Sequence, residues 1–229
     1  MGILSDAAAI IIGIFVGDCC KKRLKFKINQ YFALAVMIIS LLGFVENVFT
    51  VSDNRLMSAD IIVIVFSLIF GSVIGDLFNI DEKLNNVGKK EKSVKENGFW
   101  DAVFLFGIGG LQIGGPILMA INGDNSQLYL KAMIDFPFAL LIGATYGKFP
   151  VLSFIPVAAI QVIVALIAYF CGDFISQTML MSLCAIGYVI LFFTGFNMVS
   201  RTEIKFKTTN MVPSMIFVII FYVLKEVLI

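Results

Sequence analysis

The sequence has no histidine, and this absence excludes several kinds of functional site. A Ser-His-Asp triad and a histidine-ligated metal centre both require that side chain. The four cysteines include no CxxC pair, so the sequence predicts neither a zinc site nor a disulfide framework. We therefore expect no metal and no cofactor. We also expect no enzymatic activity, because no nucleophile and base stand in a recognisable pattern.

Charged residues are also scarce. Only 14% of the 229 residues are charged, whereas 59% are hydrophobic and the mean hydropathy is +0.97. Soluble domains carry about 25% charged residues. Apolar runs of about 18–22 residues follow one another along the chain, and each is long enough to cross a hydrocarbon core of about 30 Å. The composition therefore predicts an all-α fold, a polytopic transmembrane helical bundle.

The hydropathy pattern predicts about eight spans in a single integral membrane domain, 1–229. The spans cover about 2–18, 30–49, 58–78, 99–120, 127–147, 151–171, 176–198 and 209–228. If every span crosses, 14 of the 17 basic residues fall in loops on one side. Basic loops stay in the cytoplasm, so both termini are expected to be extracytoplasmic. The charged segment 79–98 is then a cytoplasmic connection.

A weak internal sequence similarity relates the first three spans to the last three. Residues 6–18 align with residues 161–173. The pairs of equivalent positions are Asp6 with Gln161, Gly43 with Gly195, and Asp60 with Asn210. A shift of five spans reverses orientation, so 1–78 and 151–229 are predicted to be inverted three-helix units flanking a central helix pair, 99–147. Inverted repeats suit alternating access, with a substrate site near the bilayer midplane.

Asp135 is the strongest single candidate for a functional residue. It lies eight residues beyond Gln127, about 12 Å into its span, where carboxylates are costly and usually mark ion pathways or proton relays. Lys131 lies on the same helical face and could pair with Asp135 or snorkel outward. Pro137 leaves the carbonyl of Met133 without its usual partner, available to a cation or a water. A purely structural Lys131–Asp135 pair is the alternative interpretation.

A glycine-rich stretch, GIGGLQIGGP at 107–116, lies in the middle of the fourth span. Proline follows Gly115 where a Walker loop needs lysine, and Gln112 replaces the third glycine of a dinucleotide loop, so both phosphate-binding interpretations are excluded. Pro116 frees the carbonyl of Gln112 beside its own amide side chain. Two interpretations stay open: a helix-packing surface and a broken helix that lines a solute site. The residues assigned to a helix break or to packing are Gly107, Gly109, Gly110, Gly114, Gly115, Pro116 and Pro137.

Other polar residues inside the spans are Gln161, Asn197, Asn210 and Ser40. Singly, such residues usually make interhelical hydrogen bonds, but together with Gln112 and Asp135 they could form one polar cavity. The predicted solute- or ion-binding residues are Asp135, Lys131, Gln112, Met133, Gln161 and Asn197, with Asp6 and Asn210 as secondary candidates.

The run GPILMAINGDNSQLYLKAMID resembles the bacterial membrane family catalogued as domain of unknown function 554 (YdfK/YqgA-like). The family's pattern there is a glycine-rich span, a GD pair, and a lysine and an aspartate four apart. The matching residues are Gly123, Asp124, Lys131 and Asp135, and looser matches are the opening GILSDAAAIIIGIFVG, Gln161, Asn197 and Asn210–Pro213. Two positions depart from the family, which usually has asparagine at Asp6 and proline near Gly110. The resemblance implies a prokaryotic plasma-membrane protein with suspected transport, and it supplies no substrate.

These features favour a small secondary transporter that couples the movement of a small polar solute or ion to protons or a cation. The transporter is expected to be a homodimer. Asp135 is the expected coupling carboxylate and Lys131 its partner. The alternatives are a passive channel and a non-transporting membrane scaffold or sensor. A continuous helix over 107–116, with Asp135 sealed by Lys131, would favour the scaffold. The expected partners are membrane lipid, the solute or ion and a second copy of the chain, with no nucleic acid.

Overall fold

The computed structural model describes residues 1–20, 27–52, 55–83, 94–107, 111–172, 175–200 and 205–228. Its helices are α1 (Gly2–Cys19), α2 (Lys27–Val48), α3 (Ile61–Leu77), α4 (Val94–Gly107), α5 (Leu111–Asn122), α6 (Ser126–Tyr146), α7 (Phe154–Cys171), α8 (Gln177–Val199) and α9 (Ser214–Leu228). Short 3-10 turns, Phe149–Ser153 and Thr208–Met211, precede α7 and α9. Between α2 and α3, the strands β1 (Phe49–Ser52) and β2 (Arg55–Ser58) form a small antiparallel hairpin, which the hydropathy pattern does not predict.

Over the described residues, five helical segments are long and apolar enough to cross a membrane, or six if α4 and α5 form one span. The five are Gly2–Cys19, Ser126–Tyr146, Phe149–Cys171, Gln177–Val199 and Thr208–Lys225. Two shorter apolar helices are Ala33–Val48 and Ile61–Leu77. The prediction of a polytopic helical membrane protein is confirmed at this level.

Large apolar side chains cover the outer faces of these helices. Ile163, Ile167 and Phe170 on α7 are each more than half exposed, as are Ile62 and Val73 on α3. Extensive exposed apolar surfaces mark sites of membrane or protein contact. Such faces therefore suit contact with lipid.

The chain divides into two compact units. The first consists of Met1–Phe32 and Lys83–Gly172, and the second of Ala33–Glu82 and Asp173–Ile229. Each unit therefore combines helices from both of the predicted three-helix units, 1–78 and 151–229. The inverted repeat itself stays a prediction.

In the first unit, α1 and α6 run parallel and in close contact. At the start of α1, the main-chain N–H of Gly2 donates to Asn125 Oδ1 at 2.9 Å, immediately before α6. At the other end of α1, a Cβ added at Gly17 would collide with the main-chain carbonyl of Leu140. Glycine allows this approach because it has no side chain, as in other membrane helix pairs. The close contact brings the N-terminal half of α1 level with the N-terminal half of α6.

The glycine-rich segment contains the junction of two helices that differ in direction, and residues 108–110 between them lie outside the described ranges. Helix α4 ends at Gly107 and α5 begins at Leu111, with an angle of 50° between them. With 14 and 12 residues, neither helix alone has the length of about 20 residues that a span requires. Pro116 lies inside α5, so the interruption precedes the proline and coincides with a glycine-rich sequence of low helix propensity.

In the second unit, α2 and α8 form an antiparallel pair with two glycine contacts. A Cβ added at Gly43 would collide with the ring of Tyr188 on α8. One added at Gly195 would come within 2.9 Å of Met37 Cγ on α2. Each helix therefore contributes one glycine at which the other approaches closely.

Helices α3 and α9 form a second antiparallel pair, with a polar contact at each end. Asp60, the residue before α3, accepts a hydrogen bond from Lys225 Nζ near the end of α9 at 2.8 Å. Asn210, just before α9, donates from Nδ2 to Asp76 Oδ1 near the end of α3 at 2.5 Å. Thus the polar residue that precedes each helix makes a hydrogen bond to a side chain near the end of the other helix.

Candidate functional site

A network of buried polar side chains joins four helices of the first unit. Its members are Asp6 on α1, Gln112 on α5, Lys131 and Asp135 on α6, and Gln161 on α7. Each of the five is at most 6% exposed. We call these five residues the polar network.

Lys131 joins the two carboxylates of the network. Its Nζ donates to Asp6 Oδ2 at 2.9 Å and also to Asp135 Oδ2. Asp135 is within reach because it lies one helical turn further along α6, and Asp6 is within reach because α1 packs so closely on α6. Lys131 is 3% exposed, so the alternative in which it snorkels outward is wrong.

Two glutamines extend the network from α1 to α7 and α5. Gln161 Nε2 donates to Asp6 Oδ2 at 2.7 Å and to Gln112 Oε1 at 3.0 Å. Gln112 Nε2 in turn donates to the main-chain carbonyl of Val157, one turn before Gln161, at 2.7 Å. The hydrogen bonds therefore run without a gap from Asp135 to the backbone of α7.

Asp135 and Gln161 lie deep within their spans, Asp6 lies about 6 Å from the start of α1, and Gln112 lies beside the helix interruption. Asp135 is nine residues beyond Ser126, about 13 Å along α6, and Gln161 is about 15 Å from Cys171 at the end of α7. Gln112 is the second residue of α5, directly after the interruption. A bend between two helices at such depth is tolerated where it is buried in protein or lines a cavity.

The charges of the network do not cancel. Asp6 and Asp135 are two carboxylates, and Lys131 is the ammonium group between them. When all three are ionised, one negative charge is left over at sites that are at most 6% exposed. Burying an ion without a partner costs several kcal/mol, and in membrane spans such groups usually mark ion pathways. The arrangement can therefore hold one additional positive charge.

Three other predicted residues lie elsewhere. The side chain of Met133 is 74% exposed and is not part of the network; the prediction for it concerned the main-chain carbonyl and stays a prediction. Asn197 bonds the backbone of Phe206 through both its Nδ2 and its Oδ1, at 2.7 and 2.9 Å. Asn210 bonds Asp76 and accepts from the main-chain N–H of Asp81 at 2.7 Å. Both asparagines belong to the second unit.

The glycine-rich stretch supports both interpretations of its role. Gly114 and Gly115 are buried, and a Cβ added at Gly115 would come within 3.0 Å of Leu128 Cδ2 on α6. Part of the stretch is therefore a packing surface, although its helix is interrupted. Gly109 and Gly110 lie outside the described residues, and Pro137 lies inside α6.

Among the described residues of the second unit, one cavity lies at each end of the α3–α9 pair. The larger, of about 470 Å³, is lined by residues that include Asp76, Lys205, Lys207 and Asn210. The smaller, of about 390 Å³, is lined by residues that include Asp60, Thr178, Tyr222 and Lys225. No group of three or more His, Cys, Asp or Glu residues that could hold a metal ion occurs within the described ranges.

Comparison with known proteins places the chain in a family. It is 25% identical over 216 residues to "Uncharacterized membrane protein YdfK" of Bacillus subtilis (strain 168), covering 94% of this chain and 92% of YdfK. It is 22% identical over 232 residues to "Uncharacterized protein YqgA" of Escherichia coli (strain K12), covering 94% and 93% of the two chains. No solved structure matches. The family described as "Protein of unknown function (DUF554)" matches residues 1–223, and the chain therefore belongs to the DUF554 family, whose matched relatives are bacterial.

Proposed function

We propose that this protein is a secondary transporter that moves a small polar solute or ion and couples it to a proton or cation. The observation that carries the proposal is the polar network. Its two carboxylates and one ammonium group are buried inside spans, with Asp135 closest to mid-span, and ionisable groups inside spans are expensive and usually functional. The interruption of the α4–α5 helix beside Gln112 supports the same proposal, because discontinuous helices typically build transporter sites.

The proposed topology has eight crossings, with both termini extracytoplasmic. The parallel packing of α1 and α6 supports it, because two parallel spans must be separated by an odd number of crossings. Helices α2 and α3 supply two crossings, and the α4–α5 pair supplies the third if it is one broken span. The basic loops of the sequence then lie in the cytoplasm.

Reciprocal contacts support the inverted repeat. If Asp60 is aligned with Asn210, the bond from Asp60 to Lys225 becomes equivalent, within one residue, to the bond from Asn210 to Asp76. The contacts of Gly43 and Gly195 in the α2–α8 pair are related in the same way.

In the first unit, the repeat would relate the α1–α6 pair to the α7–α5 pair. Asp6 bonds Lys131 in one pair, and Gln161 bonds Gln112 in the other. Asp6 and Gln161, which the sequence alignment makes equivalent, bond each other. This is the pattern that a two-fold pseudosymmetry produces at its axis.

Alternating access would open the network to one side of the membrane at a time. Lys131 now seals both carboxylates from water, so solute binding requires a second conformation in which these ion pairs separate. A sealed pair also suits a scaffold, whereas the interrupted helix favours the transporter. A homodimer and the absence of enzymatic activity stay predictions.

The proposal is tested by electrical recording from proteoliposomes adsorbed on a solid-supported membrane. The purified protein is challenged with concentration jumps of sodium and potassium salts, amino acids, carboxylates and polyols. We expect at least one solute to evoke a transient current that saturates with concentration and is absent from protein-free liposomes. A current that rises linearly would favour a channel, and silence toward the whole panel would favour the scaffold.

A further inference from the structure

Two oxygens of the polar network accept no hydrogen bond from any residue that the structure describes. They are Asp6 Oδ1 and Gln161 Oε1. The residues that carry them are 1% and 0% exposed. Buried polar atoms are nearly always bonded, and an exception calls for an explanation such as an ion or a water.

The orientation of the amides shows that both unpaired atoms are electron-rich. Gln112 must direct its Nε2 to the Val157 carbonyl, so its Oε1 faces Gln161. Gln161 must then direct Nε2 to Gln112 and to Asp6, and its own Oε1 is left over. Turning Gln161 over would place its carbonyl oxygen against a carboxylate and a second carbonyl. Each of the two oxygens is therefore suited to a positive charge or a hydrogen-bond donor.

The charge of the network indicates how much positive charge is missing. Lys131 and Asp135 are the charged groups of α6 that face Asp6, whereas α5 and α7 present the neutral amides Gln112 and Gln161. One additional positive charge neutralises the ionised network, whereas a divalent ion would reverse its sign. Carboxylate and amide oxygens are ligands that hard cations prefer.

We propose that Asp6 Oδ1 and Gln161 Oε1 form the coupling site of this protein and receive a single positive charge, as sodium or another monovalent cation or as a proton. This inference rests on the proposed transport function and moves its coupling group from Asp135 to Asp6. Asp6 belongs to the α1–α6 pair and Gln161 to the α7–α5 pair. A cation held by both oxygens stabilises the contact between the two pairs, so its release favours their separation.

The test measures thermal unfolding of the full-length protein in detergent. Sodium chloride is titrated against N-methyl-D-glucamine chloride at constant ionic strength and at several pH values. A cation that binds the folded state raises the unfolding midpoint as its concentration rises above its dissociation constant. The variants are Asp6→Asn and Gln161→Met, with Asp124→Asn and Gln177→Met as exposed controls. Gel filtration establishes that each variant is folded and monodisperse.

The two sources of charge give different results. If sodium is bound, the midpoint of the wild type and of both controls rises with sodium, and each network variant weakens the apparent affinity by more than about tenfold. If a proton is bound, sodium has no effect, and the wild type and Gln161→Met retain an infrared band of a protonated carboxyl group that Asp6→Asn lacks. A metal cation needs Gln161 Oε1 as a second ligand besides Asp6 Oδ1, whereas a proton needs only the carboxylate of Asp6.

If Asp6→Asn does not fold, Asp6→Ser takes its place, because serine also removes the charge and leaves room for water. The inference is overturned if the wild type shows neither a sodium effect nor the carboxyl band. It is also overturned if the sodium effect survives either network substitution, or if the carboxyl band survives Asp6→Asn. Saturable solute currents together with that result would leave the transport proposal standing. Cation binding at this site without any solute current would instead overturn transport.

Discussion

Lys131 is the residue on which the electrostatics of the polar network depend. It bonds both Asp6 and Asp135 at a position that is 3% exposed. Lys225 makes an ion pair of a different kind, because its side chain is 50% exposed and that of Asp60 is 26% exposed. The two lysines therefore allow a buried pair and a solvated pair to be compared in one protein.

We predict that Lys131→Met destabilises the folded protein by about 3–5 kcal/mol, because it leaves two buried carboxylates without a counter-charge. Lys225→Met should change stability far less, since water screens an exposed pair. Denaturant unfolding in mixed micelles measures both. Equal effects of the two substitutions would contradict this account of the network.

Sequence spacing predicts the local contact of this network but not its long-range contacts. Lys131 and Asp135 are one helical turn apart, so their pairing follows from the sequence. The internal alignment already relates Asp6 to Gln161, yet nothing in it says that they bond each other. Asp6 lies near the start of its span, so its position alone does not indicate that it bonds Lys131. That contact depends on which helix packs against α1.

At the scale of helices, the glycines of α1 determine how closely it approaches α6. Gly17 has no space for a Cβ, because the Leu140 carbonyl occupies that position. Gly172, after the end of α7, has space, since a Cβ there would lie 3.8 Å from Ile121 Cγ1. Alanine substitution at Gly17 therefore tests the close helix packing, and alanine substitution at Gly172 is the control.

We predict that Gly17→Ala destabilises the protein by about 1–3 kcal/mol, because the added methyl group forces α1 away from α6. Gly172→Ala should be neutral or slightly stabilising. Thermal unfolding in detergent compares the two variants. The prediction fails if Gly17→Ala unfolds at the wild-type temperature.

Helix-level prediction from sequence succeeds for hydropathy and is weaker at interruptions. The apolar runs predict where the helices lie. Gly13 and Gly17 form a GxxxG pair, which indicates that α1 packs closely on another helix without identifying that helix. The sequence left the glycine-rich segment as either a packing surface or a broken helix. In the structure α4 and α5 are separate, whereas Pro116 lies within α5. A proline can be accommodated inside a membrane helix when neighbouring groups satisfy the freed carbonyl.

At the scale of the whole molecule, the proposed topology separates the ends of α1 and α7 by the membrane. Cys19 at the end of α1 and Cys171 at the end of α7 are both exposed. With one crossing by α4–α5, five crossings lie between these cysteines, which places them on opposite sides. If that pair is re-entrant, four crossings lie between them and they share a side.

We predict that a membrane-impermeant maleimide labels Cys171 in intact spheroplasts and labels Cys19 only after permeabilisation. Each cysteine is tested alone, with the other three replaced by serine. Labelling of both from the same side would contradict the single crossing. Labelling of Cys19 alone from outside would invert the proposed orientation.

The division of the chain into two compact units is a property that sequence similarity does not reveal. The internal alignment relates α1 to α7 and α3 to α9, but equivalence of two helices does not specify whether they pack together. In the structure, both members of each such pair belong to the same unit. Long-range packing of this kind depends on shape complementarity between helix faces, which a hydropathy pattern does not contain.

The account as a whole depends on the claim that the polar network couples the movement of a solute to a charge. The most direct test measures coupled flux in proteoliposomes that contain the Asp135→Asn variant. The matched control is Asp124→Asn, which changes an exposed aspartate outside the network. The solute is the one that evokes a saturable current from the wild type. We predict that Asp135→Asn abolishes coupled flux while the protein stays folded, because it removes the excess negative charge that attracts the coupling charge to Asp6. Asp124→Asn should retain coupled flux. Wild-type flux through folded Asp135→Asn protein would contradict the claim.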